Sequence, residues 1–140
     1  MSAIDKELVR RKLEELRECL RKLAEFRGMD KTIFVSDYHQ YGLAEHFLQL
    51  AIELILDVCR HMVIALQLRA PDDAHGLFPL LEQNRILSAD FVQKNIHMPG
   101  FRNRLVHGYA DIDHEKAYEY LQMHLDDFED FIQQISKYLL

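Results

Sequence analysis

The stretch from Leu43 to Leu66 leaves this chain few ways to fold. Leu43, Phe47, Leu50, Ile52, Leu54, Ile55, Val58, Met62, Ala65 and Leu66 place apolar side chains on most sides of a helix. A helix of that kind has to be surrounded. The spacing predicts a helix from about Ser36 to Leu68, either in the middle of a bundle or between a core and an interface. Two amphipathic segments are available to surround it. In Ser2–Arg27, Ile4, Leu8, Val9, Leu13, Leu16, Leu20 and Leu23 form one apolar stripe, and the opposite face is dense with Arg, Lys and Glu. In His114–Leu140 the stripe is Tyr118, Leu121, Leu125, Phe128, Ile132, Ile135 and Leu139.

End signals sharpen these elements. Ser2 is expected to cap the first helix, with Asp5 as a weak capping-box acid, and Arg27-Gly28 to close it. Asp113 is expected to cap the last helix, with Glu115 in its favourable first turn. Gly28–Val35 reads as a connector. Ala70-Pro71-Asp72-Asp73 is turn chemistry. Leu77–Ile86 reads as a short helix, and Ser88 can cap another over Ala89–His97. Pro99-Gly100 interrupts that one, and a further helix restarts with Pro99 near its first turn. Only five glycines and three prolines occur in 140 residues, so few turns are available. The expected fold is all-α: three long and two or three short helices in one bundled domain over 1–140, with no repeat and no second domain.

Composition excludes several classes. The longest central apolar run, Met62–Leu66, is far short of the roughly 18 residues of a membrane span, and MSAIDKELVRRK has no apolar signal core. Cys19 and Cys59 lie among apolar helix positions and read as buried, reduced thiols of a cytoplasmic protein. The net charge of −6 argues against broad, nonspecific nucleic-acid binding. The charge is uneven, however. After Asp111 only Lys116 and Lys137 oppose a run of carboxylates, whereas Arg85, Lys94, Arg102 and Arg104 face Asp90 alone between 85 and 104. A small polyanion site is therefore compatible with the overall sign. Arg10-Arg11-Lys12 reads first as a solvated helix face, and second as an RNA-tracking patch.

The locally basic region leads into Met98–Asp111, MPGFRNRLVHGYAD. Met98, Phe101 and Leu105 recur at helical spacing, so one face is buried. Asn103 and His107 are i, i+4 neighbours, and the long side chain of Arg102 can reach the same side. Gly108 can take the left-handed conformation that ends a helix, leaving Tyr109 just outside. Arginine offers a fork of donors matched to phosphate oxygens, and histidine exchanges a proton near neutrality. This set suits cleavage of RNA by its own 2′-hydroxyl, which needs a base, an acid and a cation for the phosphorane, but no metal, cofactor or protein nucleophile. One imidazole cannot comfortably be base and acid in the same step. Two copies of the motif across a two-fold axis would supply both, together with Arg102 and Arg104 from each. The plainer reading is a helix C-terminus with a favourable cation and a surface charge.

A polar stripe on the central helix, His46, Gln49, Glu53, Asp57, Arg60 and His61, also has several readings. Glu53, Asp57 and His61 have the i, i+4, i+8 spacing that could ligate a metal. They could instead brace the Arg102/His107 cluster from across the bundle, or form an ordinary helix rim.

Arg102-Asn103-Arg104-Leu105-Val106-His107-Gly108-Tyr109 resembles the signature of the HEPN superfamily: Arg, four residues beginning with a polar one, His, any residue, Tyr. It is most similar to that of the HepT-like toxins paired with minimal nucleotidyltransferase antitoxins. The flanking MPGFRNRLVHGYADID and the segment HFLQLAIELILDVCRHM share the likeness, which extends over essentially the whole chain. The resemblance implies a helical homodimer with both motifs lining one cleft, and metal-independent endoribonuclease activity. Arg102 and His107 would be catalytic and Asn103 supporting. Tyr109 would be the residue that a cognate nucleotidyltransferase modifies with AMP, a bulky anion that would fill the cleft and repel substrate phosphate. Two other classes stay open. One is a noncatalytic HEPN module binding nucleotide or RNA through Arg102 and Arg104. The other is a structural partner of a nucleotidyltransferase, docking through Asp126, Asp127 and Asp130.

Overall fold

The structure is a computed structural model and describes residues 3–107 and 113–140. It is all-helical among those residues: α1 (Lys6–Ala24), α2 (Lys31–Ser36), α3 (Tyr38–Ala65), α4 (Leu77–Gln83), α5 (Ala89–Lys94), α6 (Met98–His107) and α7 (His114–Leu139), with a 3₁₀ turn at Ala74–Gly76 before α4. The three long helices are those expected. The short ones are more numerous, because the segment expected to be a connector contains α2.

Side-chain caps set most helix starts. The Asp5 carboxylate accepts from the Leu8 N–H at 3.0 Å, so α1 begins after Asp5 rather than after Ser2, which lies outside the described residues. Asp30 accepts from Ile33, Ser88 from Phe91, and Asp113 from both Glu115 and Lys116. Each such cap contributes about 1 kcal/mol. The α1 helix stops at Ala24, before the expected Arg27. The turn that follows closes on Gly28, whose φ of 83° is the left-handed region that favours glycine. Propensity alone would not make a helix of Lys31–Ser36. Tertiary packing does so, because Phe34 is fully buried and meets Phe26 and Tyr118 edge to face. Burying such a ring contributes about 1.5–3 kcal/mol.

The α3 helix is the axis of the bundle and packs against α1, α2, α4, α6 and α7. Leu48, Ile52, Ile55, Cys59 and Met62 have no exposed surface, as the all-round apolar pattern requires. Both cysteines are buried and unbridged, and burial pushes both thiols up from their ordinary range. No helix among the described residues is long and apolar enough to cross a membrane.

Candidate active site

The rotation of α6 decides where its polar residues go. Phe101 and Leu105 are buried. The Phe101 ring lies flat on Tyr120 of α7, with centroids 4.1 Å apart and planes 5° apart. The Arg104 guanidinium sits 6.0 Å from the Phe101 centroid. This stack fastens α6 to α7 and turns the flank bearing Arg102 toward α3.

There Arg102 meets Glu53. Its Nη2 donates to Glu53 Oε1 at 3.0 Å, and its Nη1 donates to Asn103 Oδ1 at 3.2 Å. Glu53 Oε1 also accepts from Gln49 Nε2 at 3.2 Å, one helical turn back on α3. Both side chains of the ion pair are 30% exposed. Arg102 Nε is buried without a hydrogen-bond partner among the described residues. The guanidinium is thus held at both terminal nitrogens, one donor on each. The second N–H of each terminal nitrogen is not consumed by these contacts. An anion can be gripped only through those outer donors, since Nε is closed off.

His107 is the last residue of α6 and is exposed, one turn beyond Asn103. Arg104 is exposed as well. The structure therefore brings Arg102 and Asn103 into direct contact and sets His107 at the open end of the same helix. Gly108, with its expected left-handed turn, and Tyr109 lie outside the described residues.

The polar stripe of α3 divides into separate tasks. Glu53 braces Arg102. Asp57 pairs with Arg60 at 3.3 Å and Lys12 at 3.6 Å. His61 Nε2 accepts from the backbone N–H of Asp5 at 3.1 Å. Glu53, Asp57 and His61 do not converge, and no group of three or more metal-ligating side chains occurs among the described residues. The metal reading of this stripe is corrected accordingly: Glu53 faces α6, whereas Asp57 and His61 are spent separately on Lys12 and on the N-terminus of α1. The basic cluster on α1 behaves as a rim, with Arg10 on Glu7 at 2.8 Å and Lys12 on Asp57.

One contact was not anticipated. Glu45, only 8% exposed, holds His114 Nδ1 at 2.6 Å from its Oε2, and Tyr41 stacks on the His114 ring with centroids 3.6 Å apart. Burial pushes the Glu45 carboxyl up, and the neighbouring His114 partly offsets this. The available signal was spacing: Glu45, Gln49 and Glu53 stand at i, i+4 and i+8, and this row is the one that faces the motif. The chain on either side of residues 108–112 is thereby tied to one face of α3, through Arg102 on one side and His114 on the other.

The family profile described as ribonuclease HepT-like matches residues 16–135. The chain is 27% identical over 130 residues to the mRNA nuclease HepT of Shewanella oneidensis, spanning 93% of this chain and 97% of that protein. It is 26% identical over 140 residues to the tRNA nuclease HepT of Aphanizomenon flos-aquae, spanning 100% and 95%. Its fold superposes with a TM-score of 0.83 on a tri-AMPylated Shewanella oneidensis HEPN toxin solved in complex with an MNT antitoxin, at 27% identity over 92% of this chain and 96% of that one.

Proposed function

The chain belongs to the ribonuclease HepT-like family, and from that premise we propose that it is the toxin of a toxin–antitoxin pair, an endoribonuclease acting on RNA in the cytoplasm. The observation that carries the reading is Arg102, pinned between α3 and α6 with terminal donors to spare, with His107 at the exposed end of the same helix.

The chemistry follows from those side chains. His107 takes the proton of a ribose 2′-hydroxyl, and the freed oxygen attacks the adjacent phosphorus. Arg102 donates to the phosphorane oxygens, where charge accumulates. The bond to the 5′-oxygen breaks, and that oxygen leaves with a proton from a second imidazole. The products are a 2′,3′-cyclic phosphate and a 5′-hydroxyl. The second imidazole comes from another copy of the chain, so the active species is a symmetric homodimer with Arg102, Arg104 and His107 contributed twice. Asn103 supports by fixing Arg102. No metal or cofactor enters these steps.

Tyr109 is the control point. A cognate minimal nucleotidyltransferase adds AMP there: the phenolic oxygen attacks the α-phosphate of ATP, pyrophosphate leaves, and the phenolic proton passes to solvent. The added anion occupies the space beside His107 and repels RNA phosphate. Tri-AMPylation of the Shewanella oneidensis toxin in its antitoxin complex supports this reading.

The test is a paired growth and RNA-cleavage assay without the antitoxin and in EDTA. Wild type should be toxic and should cut RNA, whereas His107→Ala should be silent. Tyr109→Phe should cut but escape neutralisation. Wild-type protein that binds RNA and never cuts it would mean that the motif serves binding alone.

A further inference from the structure

A carboxylate beside a phosphate-binding arginine is at first sight a disadvantage. It dilutes the positive charge that stabilises the phosphorane and competes with substrate for the same donors. Nor is stability a sufficient reason, because a pair that keeps 30% of its side-chain surface in water is weakened by solvent screening. Yet Glu53 is itself held: Gln49 donates to the same oxygen that accepts from Arg102. An amide spent on fixing the carboxylate makes sense if the carboxylate's position matters.

We propose that Glu53, steadied by Gln49, is a positioning residue for Arg102, aiming the guanidinium so that its outer N–H donors meet the transferring phosphate. The inference rests on the catalytic role given to Arg102 above. An unanchored arginine samples many rotamers, and only some place two donors on one phosphate. Glu53 holds Nη2 from α3 and Asn103 holds Nη1 from α6, while burial of Nε prevents a side-on grip. Three constraints on one planar group leave a single outward presentation. Fixing that geometry before substrate arrives acts on the chemical step rather than on binding.

The experiment uses the whole chain, in whatever assembly it forms, and a short oligoribonucleotide, with kcat and KM measured separately. Glu53→Gln keeps the shape and the acceptor oxygen but removes the charge. It should lower kcat about tenfold to a hundredfold, with KM little changed and thermal unfolding within a few degrees of wild type. Glu53→Asp, charged but shorter, should fall between the two. Gln49→Leu, which disturbs only the brace, should lower kcat about threefold; it decides the matter if Glu53→Gln does not fold. Arg102→Ala run in parallel separates the failures. If Arg102→Ala is silent while Glu53→Gln and Gln49→Leu cut at the wild-type rate, the positioning role alone is overturned. If Arg102→Ala cuts normally, both readings fall. A Glu53→Gln protein that cuts faster than wild type also overturns the proposal, because the carboxylate would then be a competitor for the phosphate.

Discussion

Arg27 and Arg102 each meet a carboxylate from a distant helix, and they meet it differently. Arg27 closes on Asp126 with two parallel bonds, Nη1 to Oδ1 and Nη2 to Oδ2, both 2.9 Å. Arg102 gives a single 3.0 Å bond to Glu53 and spends its other terminal nitrogen on Asn103. The Arg27 pair has the better geometry for an ion pair. It lies in the open, with Asp126 81% exposed, whereas both partners of the other pair are 30% exposed. Each arginine commits one N–H of each terminal nitrogen, but Arg27 gives both to one carboxylate whereas Arg102 divides them between two helices. A divided arginine is oriented and still has donors to offer. The difference teaches that an arginine closed on one carboxylate makes a clasp, here joining the turn after α1 to α7, whereas an arginine divided between α3 and α6 has its direction fixed by two elements at once.

The largest expected effect tests that contrast directly. Arg102→Ala should reduce RNA cleavage about a hundredfold to a thousandfold, the cost of removing one preorganised donor to a developing anion. Arg27→Ala should leave kcat unchanged. Equal losses in the two variants would dissolve the distinction. The next effect is chemical. Arg102→Lys keeps the charge but not the fork, and should lose about tenfold or more in kcat. Arg27→Lys should cleave RNA as wild type does.

Stability effects are smaller. Arg27→Ala should cost about 0–1 kcal/mol, discounted for solvent screening of so exposed a pair, and thermal unfolding should move by no more than a few degrees. Arg102→Ala should move it no further, since Glu53 keeps Gln49 and access to water. The smallest effect is one of pH. Arg27 holds the Asp126 carboxyl below the usual aspartate range. A depressed folded-state pKa gives stability that is present above the unfolded value and lost as pH falls through the folded one. Asp126→Asn should therefore remove a slight acid-side loss of stability below the aspartate range. Unfolding measured against pH in both proteins reads the difference.

The helices were legible along the chain because each is a local pattern. Apolar spacing marks the buried faces of α1, α3 and α7, and the caps at Asp113 and Ser88 are short-range chemistry. Where reading failed, a distant group intervened. The α2 helix was missed because its reason is Phe34 inserting between Phe26 and Tyr118. The end of α1 was misplaced because a cation followed by glycine can close a turn as readily as a helix. Glu45 was passed over because only its contact with His114, 69 residues away, gives it a role. Arg102, Asn103, His107 and Tyr109 could be proposed together because they share one short stretch; the structure describes the first three, and Tyr109 lies outside the described residues.

The sequence by itself determined the three long helices, two amphipathic and one apolar on most sides, and the identity of the motif, since periodicity and motif are properties of neighbours in the chain. Only the tertiary structure decided which carboxylate each arginine meets: Glu53 for Arg102 across 49 residues and Asp126 for Arg27 across 99. Those pairings depend on how far each helix is rotated about its axis and slid along its neighbour. The rotation of α6 that lays it on α3 also brings Phe101 flat onto Tyr120, a packing contact that periodicity does not encode. The physical reason is that a helical pattern specifies which face turns inward, while the partner that face finds is chosen by the shapes of several helices closing on one core.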